Sequence, residues 1–149
     1  ICGGYQMLGR MIHDPQGHDG APGSDAGLGL LDVETHMAAE KRLTRIEGRA
    51  LGQPIEGYEI HMGRTTGPDC TRAFAHIPQP DGAISPDGRV AGTYLHGLFA
   101  DNAFRAAWLA GFGANSALDY GAGVEDVLDR LAIQLETHLN IEQLFALAQ

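Results

Sequence analysis

The run Ile1-Cys2-Gly3-Gly4-Tyr5-Gln6-Met7-Leu8-Gly9 decides how this chain reads. A cysteine stands before two glycines, and an apolar segment follows. Residues 1–4 read as a turn and residues 5–12 as a short helix, with Met7, Leu8, Met11 and Ile12 at helical spacing. The thiol then sits at a helix N-terminus. Unpaired backbone N–H groups and the helix dipole there favour thiolate over a thiol whose ordinary pKa is about 8.5. Gly3 and Gly4 let the backbone bend sharply and come close to a substrate carbonyl. The N–H of Gly3 points where an oxyanion would develop, as in other strand-turn-helix nucleophile elbows. On these residues alone, a buried cysteine beside a glycine turn remains the bland alternative.

Two downstream runs bear on the choice. His96 follows the apolar stretch Val90-Ala91-Gly92-Thr93-Tyr94-Leu95. A base just past a strand's end lies on the rim where substrates of α/β sheets bind. It can take a thiol proton and return it to departing ammonia; a histidine satisfied by a backbone carbonyl is the competing reading. In Gly57-Tyr58-Glu59-Ile60-His61-Met62-Gly63-Arg64-Thr65, strand alternation sets Tyr58, Ile60 and Met62 on one side and Glu59, His61 and Gly63 on the other. The Glu/His face suits a pocket wall, and a solvent-facing edge is equally compatible. Cys2, His61 and His96 lack any Cys-x-x-Cys or His-x-x-x-His spacing, so no metal is expected. His13 and His18 fall in a Gly/Pro-rich loop and read as solvated. Cys70, with no glycine elbow, reads as an ordinary loop thiol.

Working outward, residues 13–26 read as a loop, 28–35 as a strand, 41–48 as a weak strand and 55–64 as a strand after the turn Gly52-Gln53-Pro54. Residues 67–80 are irregular, and Asp81-Gly82 and Asp87-Gly88 are hairpin-type turn dipeptides around short strands. Asp101 caps a helix over 102–111 with Phe104, Ala107, Trp108 and Phe112 as its buried stripe. Val124, Val127, Leu128, Leu131, Leu135 and Leu139 mark a long helix over 124–139. Asn140 and Gln143 cap a last one over 141–148. Strands followed by helices imply the second half of a mixed α/β sheet with helices packed on it.

The chain has 149 residues, one domain's worth, with 44% hydrophobic and 19% charged residues. A formal net charge of −9 with no basic stripe excludes nucleic acid as partner. No apolar run reaches the roughly 20 residues of a membrane span, and no signal-peptide pattern opens the chain. Two cysteines make no disulfide scaffold, so a cytoplasmic setting is expected.

Taken together, Cys2-x-Gly4-x-Gln6, residues 27–35, 57–65 and 92–99 resemble the class I glutamine amidotransferases, within them the cobyric acid synthase branch. The likeness covers nearly the whole chain. It implies the C-terminal part of a flavodoxin-like α/β domain that hydrolyses glutamine. The ammonia would serve an ATP-dependent amidation of corrin-ring carboxylates in cobalamin biosynthesis. By position it implies Cys2 as nucleophile, His96 as base, and Gly3 and Gln6 near the glutamine, with Glu59 and His61 as further pocket candidates. A relative acting on a cell-wall lipid intermediate and a non-catalytic docking domain are the alternatives weighed against it.

Two departures accompany the resemblance. Leu98 stands where class I amidotransferases usually carry Glu, leaving the third triad member open, with Glu59 or a residue outside this chain in its place. The family also places strands before the elbow, one loop of which gives a second oxyanion donor, and a separate synthetase domain that binds ATP and Mg. No Gly-x-x-x-x-Gly-Lys-Ser/Thr string occurs here. The 149 residues alone are therefore expected to be nearly inactive. With a sheet edge exposed, they are also expected to pair with another copy, a homo-oligomer, or to aggregate.

Overall fold

The computed structural model describes residues 1–148. Cys2 enters helix α1, Gly3–Leu8, which stops at Gly9. Met11 and Ile12, read above as the end of that helix, instead open strand β1, Met11–Asp14. Gly9 is the reason. A Cβ there would meet the Val33 carbonyl and side chain, so the chain crosses Val33 closely and leaves the helix. The predicted loop at 13–26 likewise contains β2, Gly23–Ala26, paired antiparallel to β1. Its turn is built by Asp14, whose carboxylate accepts the backbone N–H groups of His18 and Asp19 at 2.8 Å each.

The strand expected at 28–35 begins only at Glu34. Before it, the N–H groups of Leu28, Leu30 and Leu31 donate to carbonyls of Met7 and Leu8, which ties this stretch to α1 instead of a sheet neighbour. From Glu34 the chain runs as one long hairpin: β3, Glu34–Ala50, and β4, Gln53–Thr66, turning at Leu51 and Gly52, with a register shift between Met37 and Arg42. Short strands follow: β5 (Ala75–His76), β6 (Pro80–Asp81), β7 (Ala83–Ile84), β8 (Ala91–Gly92) and β9 (Leu95–His96). The main sheet runs β2-β1-β3-β4-β9, with β5 on β3 and β6 on β5; β1 and β3 are parallel and the remaining pairs antiparallel, so the sheet is mixed. β7 and β8 form a separate pair.

One face of this sheet carries the core. Ile46, Ile55, Leu95 and Leu98 pack with Phe74 and Phe104 in one cluster, and Tyr5, Leu31, Val33, Ala83 and Tyr94 form a second around α1. Helix α2, Asn102–Ala110, supplies Phe104 and Trp108 to the first cluster. Its predicted cap holds, since Asp101 Oδ1 accepts the Phe104 N–H at 2.7 Å. Phe112, expected in the buried stripe, is 73% exposed because α2 ends before it. Helices α3, Tyr120–His138, and α4, Ile141–Leu147, form with the expected Asn140 cap, yet neither has a buried residue among those described. Their apolar stripe specifies a face to bury; it does not specify which surface covers it. Among the described residues no helix is long and apolar enough to cross a membrane.

Candidate active site

Cys2 occupies a backbone conformation that side chains rarely adopt, φ 54° and ψ −121°, at the N-cap of α1. Its N–H donates to the Thr93 carbonyl at 2.9 Å and its carbonyl accepts the Gln6 N–H, which clamps the bend at both ends. A non-glycine residue at positive φ is a strained position, and such positions concentrate where a side chain must be presented in a set direction. Sγ lies 3.4 Å from the Ile60 carbonyl on β4 and is partly accessible. Gly3 opens the helix, so its N–H has no intrahelical acceptor. A Cβ at Gly3 or at Gly4 would meet nothing within 4 Å, so both backbones face open space.

β4 carries the second half of the site. Its register opposes Tyr58 to His96 and Glu59 to Leu95. The His96 ring stacks on Tyr58, centroids 5.0 Å apart and planes within 7°. Its Nε2 is buried without a hydrogen-bond partner. The thiol therefore touches β4 at residue 60, and the imidazole stacks on the side chain two residues earlier on the same strand. No hydrogen bond joins Cys2 to His96. The segment leading into His96 is held by Asp81, whose Oδ2 accepts the Thr93 hydroxyl and the Tyr94 N–H.

On the His61 side of β4 stands Tyr94, to which sequence reasoning gave no role. Its hydroxyl lies 3.2 Å from Gln6 Nε2, which donates to it, and 2.7 Å from Thr65 Oγ1; Thr65 in turn meets Thr35 Oγ1 at 2.7 Å. Burial pushes the Tyr94 hydroxyl above its ordinary value, and its hydrogen bonds to Thr65 and Gln6 oppose that only in part. The Tyr94 ring stacks on His61 at 3.8 Å. Gln6 is 9% exposed, so its amide braces Tyr94 from inside the fold.

Glu59 and His61 share the inward side of β4, as alternation requires. His61 bonds through Nδ1 to the Gly63 carbonyl at 2.8 Å, and its Nε2 lies 3.9 Å from Glu59 Oε1. Glu59 is 4% exposed. Arg42 Nε comes within 2.5 Å of Oε2 as an ion pair, but Oε2 accepts no aligned hydrogen bond. Glu59 thus spends its charge on Arg42 and His61, on the side of β4 opposite to Tyr58. It does not orient His96 in this arrangement. Leu98, at the position of the usual acid, is 1% exposed inside the core. Cys70 lies outside this cluster. Burial pushes its thiol up, and Sγ meets the Tyr5 hydroxyl at 3.8 Å.

A strained cysteine at a helix start beside a mixed sheet, with a histidine at the end of a distant strand, is the layout of an α/β domain with a nucleophile elbow. Residues 1–104 match the CobB/CobQ-like glutamine amidotransferase domain, and the chain belongs to that family. It is 79% identical over 149 residues to cobyric acid synthase of Paracoccus denitrificans, covering 100% of this chain and 31% of that protein. It is 60% identical to cobyric acid synthase of Cereibacter sphaeroides (100% of this chain, 32% of that protein) and 58% identical to that of Hyphomonas neptunium (99% and 31%). The chain spans about a third of the length of the curated relatives it matches.

Proposed function

We propose that this chain is the glutamine-hydrolysing part of a cobyric acid synthase, supplying ammonia for amidation of corrin-ring carboxylates. The observation that carries it is the strained Cys2, presented at the start of α1 beside open glycine backbone. The family match and the named relatives support the same reading. His96 Nε2 takes the thiol proton as Sγ attacks the side-chain carboxamide carbon of glutamine. The oxyanion forms toward the Gly3 N–H. The C–N bond breaks as His96 returns the proton to the leaving nitrogen, freeing ammonia and leaving a thioester on Cys2. Water, deprotonated by His96, then releases glutamate. The present Cys2–His96 separation closes on substrate binding, since catalytic hydrogen bonds are commonly long before it. Gln6 and His61 act by fixing Tyr94, next in the chain to the Thr93 carbonyl that holds the Cys2 N–H. ATP and Mg belong to a synthetase region beyond these residues. The setting is cytoplasmic.

The test is labelling of the full-length protein with a glutamine-analogue electrophile, followed by peptide mapping. Selective modification at Cys2, blocked by glutamine, is the expected result. Equal, slow labelling of Cys2 and Cys70 would sink the proposal.

A further inference from the structure

On the sheet face opposite α1, β1 and β3 bring together three side chains that the proposed chemistry does not use. Their parallel register sets Met11 against Glu34 and His13 against His36, and alternation turns His13, Glu34 and His36 to the same side. His13 Nε2 lies 3.0 Å from Glu34 Oε2. The two imidazoles stack at 4.5 Å with planes 21° apart. One ligand atom from each of the three residues falls within 4.8 Å of the others. Ser24, opposite His13 on β2, places Oγ 3.0 Å from His13 Nδ1.

We infer that His13, Glu34 and His36 form a binding site for a divalent transition-metal ion, zinc being the natural occupant for two imidazoles and a carboxylate. The register alone sets His36 and Ser24 beside His13. What points to a metal is that the three ligand atoms already lie within 4.8 Å of one another and that the far nitrogen of His13 has a fixed partner; the rings turn out of their stack to converge on the ion. The hydroxyl oxygen accepts Nδ1–H, which leaves the Nε2 lone pair for the ion, and histidine ligands are commonly oriented by such an outer partner. Zinc bonds of about 2.0–2.2 Å place tetrahedral ligand atoms about 3.3 Å apart. His13 and Glu34 already meet that spacing, and the exposed His36 reaches it by a small side-chain swing. Three protein ligands leave the fourth position to water. Arg64 opposes His36 across β4 and adds a positive charge that weakens, without blocking, cation binding. The ion would clip β1 to β3 behind the sheet that holds Cys2.

The experiment uses the full-length protein freed of metal by chelation. It is titrated with Zn²⁺ against a chromophoric competitor and, separately, with Co²⁺ followed by visible absorption. One ion per chain is expected, with a Co²⁺ spectrum of four- or five-coordinate N/O ligation. His13→Ala and His36→Ala should each weaken binding at least about tenfold, as should the near-isosteric Glu34→Gln. Ser24→Ala should weaken it about 10-fold, in the range for outer partners. Arg64→Gln should strengthen it. Far-UV circular dichroism and the denaturation midpoint report folding in every variant, independently of the glutamine chemistry. Absence of stoichiometric binding, or wild-type affinity in a correctly folded His13→Ala/His36→Ala double variant, overturns the site.

Discussion

Cys2 and Cys70 carry the same atom in opposite settings, and the contrast yields the first prediction. Cys2 sits on a strained bend with accessible sulfur; Cys70 is pushed up by burial and faces the Tyr5 ring hydroxyl. Cys2→Ala in the full-length protein should lower glutamine-dependent ammonia release by roughly 10⁴-fold or more, the scale seen on removing nucleophiles. Cys70→Ser should leave it within about twofold, and a comparable loss in both would make the effect structural. Asp81 is a second residue-scale case. It accepts from both Thr93 and Tyr94 just before His96. Asp81→Ala strands two buried donors, which should destabilise by about 2–3 kcal/mol in chemical denaturation and slow turnover through a misplaced His96. The positions of Cys2 on a bend at a helix start and of His96 at a strand end were readable, because glycine turns and apolar strand runs leave local signatures. Asp81 and Tyr94 were not, because their role lies in contacts to residues far apart in the chain. The cluster proposed to bind metal gave no signal for the same reason: His13 lies on β1 and Glu34 and His36 on β3, so only the strand pairing unites them.

At the scale of elements, what was legible followed from local chemistry. Asp101 and Asn140 announced their helices, and the long apolar periodicity announced α3. The strands β1 and β2 were hidden because Gly9 ends α1 by close approach to Val33, a tertiary contact, and because β2 is short and wholly exposed. Two element-level predictions follow from this geometry. A Cβ at Gly57 would run into the His96 backbone carbonyl. Gly57→Ala should push β9 from β4, costing about 1–3 kcal/mol of stability and reducing turnover of glutamine more than its binding. Unchanged kinetics would show that the β4–β9 contact does not set His96. Asp14 links β1 to β2 and is held below the ordinary carboxylate range, first by the Asp19 N–H and then by that of His18. A carboxyl whose folded value is depressed stabilises fully above its ordinary value of about 3.9 and loses that contribution as pH falls through the folded value. Amide-exchange protection at His18 and Asp19 should therefore fall below about pH 4, and constant protection down to pH 2 would count against the turn's dependence on this charge.

Across the whole molecule, the core and the long helices are separate. The buried clusters draw on α1, the sheet and α2, whereas α3 and α4 contribute no buried residue. Yet α3 carries a continuous stripe, with Val127 52%, Leu128 51% and Leu131 52% exposed. An isolated helix of this length is marginal in water, so its order rests on its Asp119 cap and on whatever meets that stripe. The periodicity therefore announced an amphipathic helix correctly while the packing of that helix onto the sheet, also expected, did not follow. If α1, the sheet and α2 form the cooperative unit without α3, then Leu128→Glu combined with Leu131→Glu, substitutions of similar helix propensity, should leave unfolding free energy of the 149-residue chain within about 0.5 kcal/mol. The same pair should reduce self-association in sedimentation, because two charges interrupt the exposed apolar face. A loss of more than about 2 kcal/mol would mean that the stripe docks on this chain's own core in solution, which the arrangement of α3 described above does not allow.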